Sequence, residues 1–386
     1  MALWPHLVQW RHAHVGCPDP GSPTRAYAEQ AISNRNVAPS PLLHILRIST
    51  KSFRRRGAAH RDDMTDTPNS FPPLPREKTA EGKERLTGVE VEFAGATEAQ
   101  TGELIAQLFG GTATDDGQHC VTISDTAFGD IHVELDITLR KRNDLPFVKE
   151  GLDAFRGVIP VEIVTPPLSR AQIEQFDTLC PALSGAGAMG SRSGVLLGFG
   201  VHLNPEVVAP DDRFTLDTII AYAMLEPWLR MKEEIDATRR VMPFVETWPK
   251  GFVSALAGGS FDSLADVMHV AAQHVASRSQ SLDLLPLFKH AEPDLFDEIF
   301  DIEDKTSPRP TFHFRLPDSR IDEAGWSLLQ AWQLWRQVEC VAANADLLDA
   351  LRAAWATHDA AWFSRGSEWI DTVDRLLDEH AAKVDT

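Results

Sequence analysis

Long apolar runs are absent from this 386-residue chain. None approaches the ~20 residues that a membrane helix needs. Cysteine is scarce as well. Cys17, Cys120, Cys180 and Cys340 lie far apart, with no CxxC pair. That argues against a disulfide framework or a cysteine zinc site, and suits a reducing, cytoplasmic setting. Each cysteine reads as a small buried apolar group. Basic charge is thin in most of the chain. Residues 1–63 hold nine Lys/Arg and four Asp/Glu, whereas residues 64–386 hold 28 and 52, a net charge of −24. So acidic a body repels nucleic acid, and neither a nucleic acid nor a membrane is expected as a partner.

Familiar nucleotide and hydrolase signatures are missing too. There is no GxxxxGK[ST] loop and no GxSxG elbow. Gly185-Ala-Gly187-Ala-Met-Gly190 spells GxGxxG, but a dinucleotide fingerprint needs a strand before it and a helix after it. Here the predicted order is reversed, with a helix ending near Leu183 and a strand beginning near Val195.

What is present divides along the chain. Residues 1–63 mix Pro, Ser, Arg and His without periodicity, and carry the Arg54–Arg56 run. They resemble a transit peptide in composition but lack an amphipathic helix. Met64 is read as the natural start, with 1–63 an upstream extension or a disordered tail. Residues 64–84 form a polar linker, and 85–386 one mixed α and β domain, helical from about 321 onward. Helical spacing predicts helices over Thr97–Phe109, from the capping box at Ser169–Gln172, over Phe214–Asp236 with a kink at Pro227, and over Ser260–Arg278. Leu348, Trp355, Trp362, Trp369 and Leu376 recur every seven residues. The bland explanation, a helical layer packed on the rest of the chain, is preferred to a partner-helix seam because the matching d positions are not consistently apolar.

The richest pattern is a set of strand-like segments: Leu86–Phe93, Ile131–Leu139, Val161–Pro166, Gly198–Asn204 and Thr311–Leu316. Residues two apart on a strand share a face. Glu90 and Glu92 therefore oppose Val89, Val91 and Phe93. His132, Glu134 and Asp136 oppose Val133, Leu135 and Ile137. Glu162, His202, and His313 with Arg315, likewise oppose apolar neighbours. In one sheet, these segments would set five carboxylates, three imidazoles and a guanidinium on a single face. A solvent-washed face would hold more Thr, Ser, Lys and Arg. Carboxylates with few cations are the oxygen ligands that Mg²⁺ or Mn²⁺ prefers. Arg315 would bridge phosphate oxygens or, more blandly, pair with a nearby carboxylate. His202 would contact a nucleotide or substrate, bind metal, or be structural. Zinc on His132, His202 and His313 is disfavoured, because no zinc spacing is present and acids outnumber imidazoles.

Taken in order, LTGVEVEF, VELDITL, VEIVTPPL, GFGVHLNPE and TFHFRLPDSRI resemble the amidoligase family. That family belongs to the carboxylate–amine ligases related to glutamine synthetase and glutamate–cysteine ligase. The resemblance covers about residues 85–340. It implies an α+β fold with a curved antiparallel sheet, helices on one face, and a site for ATP and two or more Mg²⁺ ions. It carries over to Gly88-Val-Glu90-Val-Glu92-Phe93, Asp136, Glu162-Ile-Val-Thr-Pro166-Pro167, Val201-His202-Leu203 and His313-Phe314-Arg315. The chain departs from the pattern at Glu134, where Lys or similar is frequent, at His313, where Glu is commoner, and at Asn204, which replaces a second His.

The implied reaction is ATP-dependent. A substrate carboxylate becomes an acyl phosphate, and an amine then attacks it to form an amide or isopeptide. Glu90, Glu92, Glu162 and Asp136 would hold the metals; Arg315, His202 and Asp136 would meet the nucleotide. Arg315 would steady the transferring phosphoryl group, His202 would position substrate, and Glu134 would take the amine proton. The partners would be a small-molecule or peptide carboxylate and an amine; the sequence is compatible with a homo-oligomer. A metal-dependent hydrolase without ATP, or a catalytically idle binding relative, stays open beside this reading.

Overall fold

The structure, a computed structural model, describes residues 70–117, 119–135, 160–192, 198–233, 235, 245–275, 278–301, 306–361 and 366–384. The readings made for residues 1–63, for Asp136 and for Trp362 lie outside them. The first half of the fold alternates strand and helix: β1 (Thr87–Phe93), α1 (Glu98–Phe109), β2 (Thr112–Asp115), β3 (Cys120–Thr126), β4 (Gly129–Leu135), β5 (Val161–Val164), α2 (Arg170–Phe176), α3 (Leu179–Gly185) and β6 (Val201–Pro205). Helices then take over: α4 (Arg213–Glu233), α5 (Lys250–Gly258), α6 (Leu264–Ala271), the short β7 (Leu282–Asp283), α7 (Leu285–Ala291), α8 (Pro293–Ile299), the short β8 (His313–Phe314), α9 (Leu328–Ala342), α10 (Ala345–Ala360) and α11 (Gly366–Val384).

Among the described residues, eight strands form one curved sheet in the order β2-β3-β4-β5-β1-β6-β8-β7, and every pairing between them is antiparallel. The expected α+β class and antiparallel sheet are therefore present. All five strand segments read from the alternation pattern contain a strand. The last is shorter than expected, because only His313 and Phe314 form β8, although Arg315 N–H still donates to Ser281 C=O at 2.8 Å. Strands β2, β3 and β7 were not foreseen. β2 is exposed along its whole length, and β7 has two residues, so neither leaves an alternation signal.

One face of the sheet is core, as the alternation demands. Val89, Val91, Phe93, Val133, Leu135, Ile163, Val201, Leu203 and Phe314 are buried in a single apolar cluster. Helices cover that face. α1 lies against β3 and β4, and α9 lies against β6. The capping boxes at Thr97–Gln100, Ser169–Gln172 and Ser263–Asp266 start α1, α2 and α6, each satisfying backbone donors that a helix start leaves open. The last helix is shorter than the Ser260–Arg278 span expected. α4 carries Pro227 inside it and is buried on nearly all sides, as a helix sandwiched between the sheet-side layer and the C-terminal helices should be. Leu348, Trp355, Trp369 and Leu376 are buried in the same cluster. Trp369 also donates its indole N–H to Met224 C=O at 3.0 Å. The heptad stripe is thus an internal packing layer.

Two of the three glycines of the GxGxxG sequence have local structural reasons. Gly187 has a φ of +96°, and a Cβ on Gly190 would come within 2.5 Å of Ser319 O. The segment joins α3 to the β6 region, in the order expected from the sequence. Cys180 and Cys340 are free thiols. Cys120 is buried at the start of β3. Among the described residues no helix is long and apolar enough to cross a membrane.

One buried ion pair ties the strand side to the helical side. Arg85, just before β1, donates from Nη2 to Glu339 Oε1 of α9 at 2.8 Å, and from Nη1 to Glu339 Oε2 at 3.1 Å. Both side chains are essentially inaccessible to water. Removing one partner of a buried pair strands the other charge. Glu339→Ala should therefore lower unfolding free energy by about 3–5 kcal/mol, read by urea denaturation; a loss below about 1 kcal/mol would show that water reaches Arg85.

Candidate functional site

The polar face is built by register. Glu92 pairs with Glu162 across β1 and β5, and Glu162 pairs with Glu134 across β5 and β4. Three carboxylates therefore stand in one cross-strand row. In the next row Glu90 pairs with His202 of β6 on one side and with Val164 on the other, and Val164 pairs with His132. The Leu203–Phe314 pairing of β6 and β8 brings Asn204 alongside His313. Like charges directly across a sheet repel, so this face needs internal compensation or bound cations.

The compensation converges on His202. Its Nδ1 lies 2.7 Å from Glu90 Oε2 and 3.8 Å from Glu162 Oε1, and its Nε2 lies 3.7 Å from Glu92 Oε1. Because a carboxylate only accepts, Nδ1–H donates to Glu90, and Nε2 is the nitrogen turned toward Glu92. Glu92 Oε2 also accepts from Gly200 N–H at 2.6 Å. Glu90 is 3% exposed and Glu162 7%, so the solvent-washed sheet face is not what the chain builds.

Asn204 joins the two imidazoles through Glu90. Its Nδ2 donates to Glu90 Oε1 at 2.9 Å. The amide orientation then leaves Oδ1 to accept from His313 Nδ1–H. Burial, with Arg315 adding to it, holds the His313 pKa well below the usual histidine range. His313 is therefore neutral, with a lone pair on Nε2, the form in which imidazole ligates metal. The departure at Asn204 thus has a physical role: it orients the departure at His313.

Two ligand triads result. Glu90, His202 and His313 offer atoms that all lie within 4.8 Å of one another, and so do Glu92, Glu162 and His202. Glu90, Glu92 and Glu162, named from the sequence as metal ligands, are thus brought together, and His202 is common to both sets. The donor chemistry of carboxylate oxygens with an imidazole nitrogen fits Mg²⁺ and, more readily, Mn²⁺. Glu134 stands at the far end of the carboxylate row, partly buried. His132 Nδ1 lies 3.1 Å from Thr122 Oγ1, and Val164 separates it from Glu90 in its row.

Arg315 follows β8, two residues after His313, whose pKa its charge helps to lower. Its Nη1 donates to Arg278 C=O at 2.8 Å and its Nη2 to Asp283 Oδ2 at 3.1 Å. The salt bridge weighed from the sequence is therefore present, with Asp283 as partner. Arg278 Nε donates to the same oxygen at 3.0 Å. Arg309 reaches the site as well, its Nη1 3.7 Å from Glu90 Oε1. Asp283, Arg278 and Arg309 were missed. Asp283 belongs to a two-residue strand, and the two arginines sit in irregular segments, where no periodicity marks a face.

The His313 environment gives a pH prediction for metal-free protein. Its pKa is depressed on folding, so below about 6.5 the unfolded chain binds the extra proton first. The stability contribution is full above that pH and is lost as pH falls from there toward the folded pKa. Urea unfolding with chelator should show stability falling between pH 7.5 and 5.5, and His313→Gln should flatten that fall. An unchanged slope in the variant would mean other groups carry it.

No curated protein matches the chain. The model of a family described as "Putative amidoligase enzyme" matches residues 83–337. That span runs from just before β1 through most of α9 and takes in Glu90, Glu92, Glu162, His202, His313 and Arg315: the chain belongs to the amidoligase family.

Proposed function

We propose that the protein is an ATP- and Mg²⁺-dependent carboxylate–amine ligase, which forms an amide or isopeptide bond through an acyl phosphate. One observation carries the reading: on a single sheet face, two ligand triads share His202, and a group of guanidiniums adjoins them, with Arg309 3.7 Å from Glu90. Such a bipolar face suits a metal-chelated polyanion, with cations at the carboxylate end and phosphate oxygens at the guanidinium end.

Glu92, Glu162, Glu90 and His202 would hold the ions, with His313 completing the second triad; Asp136 follows β4 and lies outside the described residues. Bound Mg²⁺ or Mn²⁺ supplies charge neutralisation at phosphate oxygens. The arginine end faces the charge that develops on the transferring phosphoryl group. Once a carboxylate carries the phosphoryl group, a neutral amine attacks its carbonyl carbon, the C–N bond forms, and phosphate leaves. Glu134, at the edge of the carboxylate row, takes the proton that the amine sheds. A cytoplasmic setting and small-molecule or peptide substrates accord with this chemistry.

ATP hydrolysis with Mg²⁺, measured against a panel of amino acids, polyamines and peptide amines together with carboxylate donors, tests the reading. Amine-stimulated phosphate release is expected. Glu92→Gln and Glu162→Gln should each remove it by more than the ~10–100-fold that loss of an outer-shell metal partner costs, with the unfolding midpoint retained. Turnover of an amide or phosphate ester without nucleotide would instead support a hydrolase on the same carboxylates.

A further inference from the structure

The two triads have the same number of members but not the same chemistry. One offers the carboxylates of Glu92 and Glu162 with the His202 imidazole; the other offers the carboxylate of Glu90 with the imidazoles of His202 and His313. The two rings stand with their centroids 5.3 Å apart at an angle of 68°. Charge separates the positions further. Arg309 Nη1 lies 3.7 Å from Glu90 Oε1, and the charges of Arg315 and Arg309 both act on His313. A dication beside His313 therefore meets a single anionic ligand, with guanidiniums close by. Mg²⁺ is a hard ion, held by charge and oxygen, and this position offers it little of either. Neutral imidazole is a different kind of ligand. It suits the first-row transition metals, whose affinity for such sites rises from Mn²⁺ through Co²⁺ to Cu²⁺.

Asn204 decides how His313 is presented. A carboxylate only accepts, so the bond of 2.9 Å between Asn204 and Glu90 Oε1 is donated by Nδ2. Asn204 Oδ1 is thereby the atom turned to His313, and it accepts from the ring's Nδ1–H. The lone pair of His313 is then on Nε2, and with both side chains buried this orientation is held away from water. The bonds that Glu90 accepts from Asn204 and His202 do not exhaust it as a ligand, because a carboxylate has about four lone-pair sites. His202 belongs to both triads, but a neutral imidazole has one ring lone pair, so it serves one ion at a time. It gains more from a transition metal than from Mg²⁺. When both positions fill, His202 therefore sides with His313, and Glu92 with Glu162 keeps the oxygen-rich position.

We infer that the Glu90–His202–His313 triad is a position for a nitrogen-preferring divalent transition-metal ion rather than for Mg²⁺, with Asn204 as the positioning residue that sets this preference. The inference rests on reading the triads as metal positions and not on the ligase chemistry, and binding alone tests it. Full-length protein, stripped with chelator, would be titrated with Co²⁺ in a large excess of Mg²⁺ and followed by visible absorption and calorimetry. The wild type should hold a Co²⁺ ion that Mg²⁺ does not displace. His313→Gln should weaken that ion at least ~10-fold and change its absorption spectrum, with Mg²⁺ affinity and the unfolding midpoint retained. Should His313→Gln fail to fold, His313→Asn carries the same comparison. Asn204→Leu should weaken Co²⁺ by ~10–100-fold and leave Mg²⁺ affinity in place, a split that lost packing alone would not produce. Displacement of Co²⁺ by Mg²⁺ in the wild type, or an equal Co²⁺ affinity and spectrum in a folded His313 variant, would each overturn the inference. Equal losses of Co²⁺ and Mg²⁺ in Asn204→Leu would overturn the Asn204 assignment. Failure of the wild type to bind either ion would overturn both this inference and the ligase reading. Co²⁺ held through His313, without amine-stimulated ATP turnover, would leave the transition-metal position standing and remove the ligase reading.

Discussion

Like charge on one face of a sheet is the constraint around which this protein is organised. Glu90, Glu92 and Glu162 come from two adjacent strands, and their carboxylates crowd a single imidazole. Such an arrangement is unfavourable unless something positive or protic meets each oxygen. His202, Asn204 and the Gly200 N–H meet part of that need, and Arg309 approaches the same edge. The geometry that relieves repulsion also presents ligand atoms close enough to share a cation. Here the compensation and the prospective chemistry are the same set of contacts.

The rest of the fold holds that face still. Behind the glutamates, Val89, Val91 and Phe93 lock β1 into the apolar core, so the carboxylates cannot rotate away without exposing it. The Arg85–Glu339 pair joins the start of β1 to α9. On the far side, Arg315 and Arg278 share Asp283, which fastens the β7 and β8 edge. Behind that edge, Tyr222, Ser281 and Glu226 form a buried chain of hydrogen bonds linking α4 to the residues just before β7. The site thus rests on packed strands and helices, which hold charged side chains in a fixed geometry.

Much of this was legible before any coordinates. Period-two alternation places Glu90 and Glu92 on one face and Val89, Val91 and Phe93 on the other, and the core follows that division residue by residue. Five ordered segments with that pattern point to one family and one sheet class. What was not legible has a common cause. Arg309 and Arg278 lie in irregular segments, and β7 is two residues long, so no local periodicity says what they face. Arg315 shows the complementary case: its side of the sheet follows from the alternation pattern, whereas its pairing with Asp283 depends on a strand 32 residues away.

The sequence by itself determined the acid-rich face and the apolar face beneath it, because side-chain direction in a strand is a local property of the backbone. Only the tertiary structure decided which acids meet. The antiparallel register sets Glu92 against Glu162 and Glu90 against His202, and a slip of one residue would have sent each to the core. It also decided that Asn204 would orient His313 and that Arg309 would stand at the carboxylate edge. Those contacts join residues more than 100 positions apart, and no local rule of propensity or spacing reaches so far.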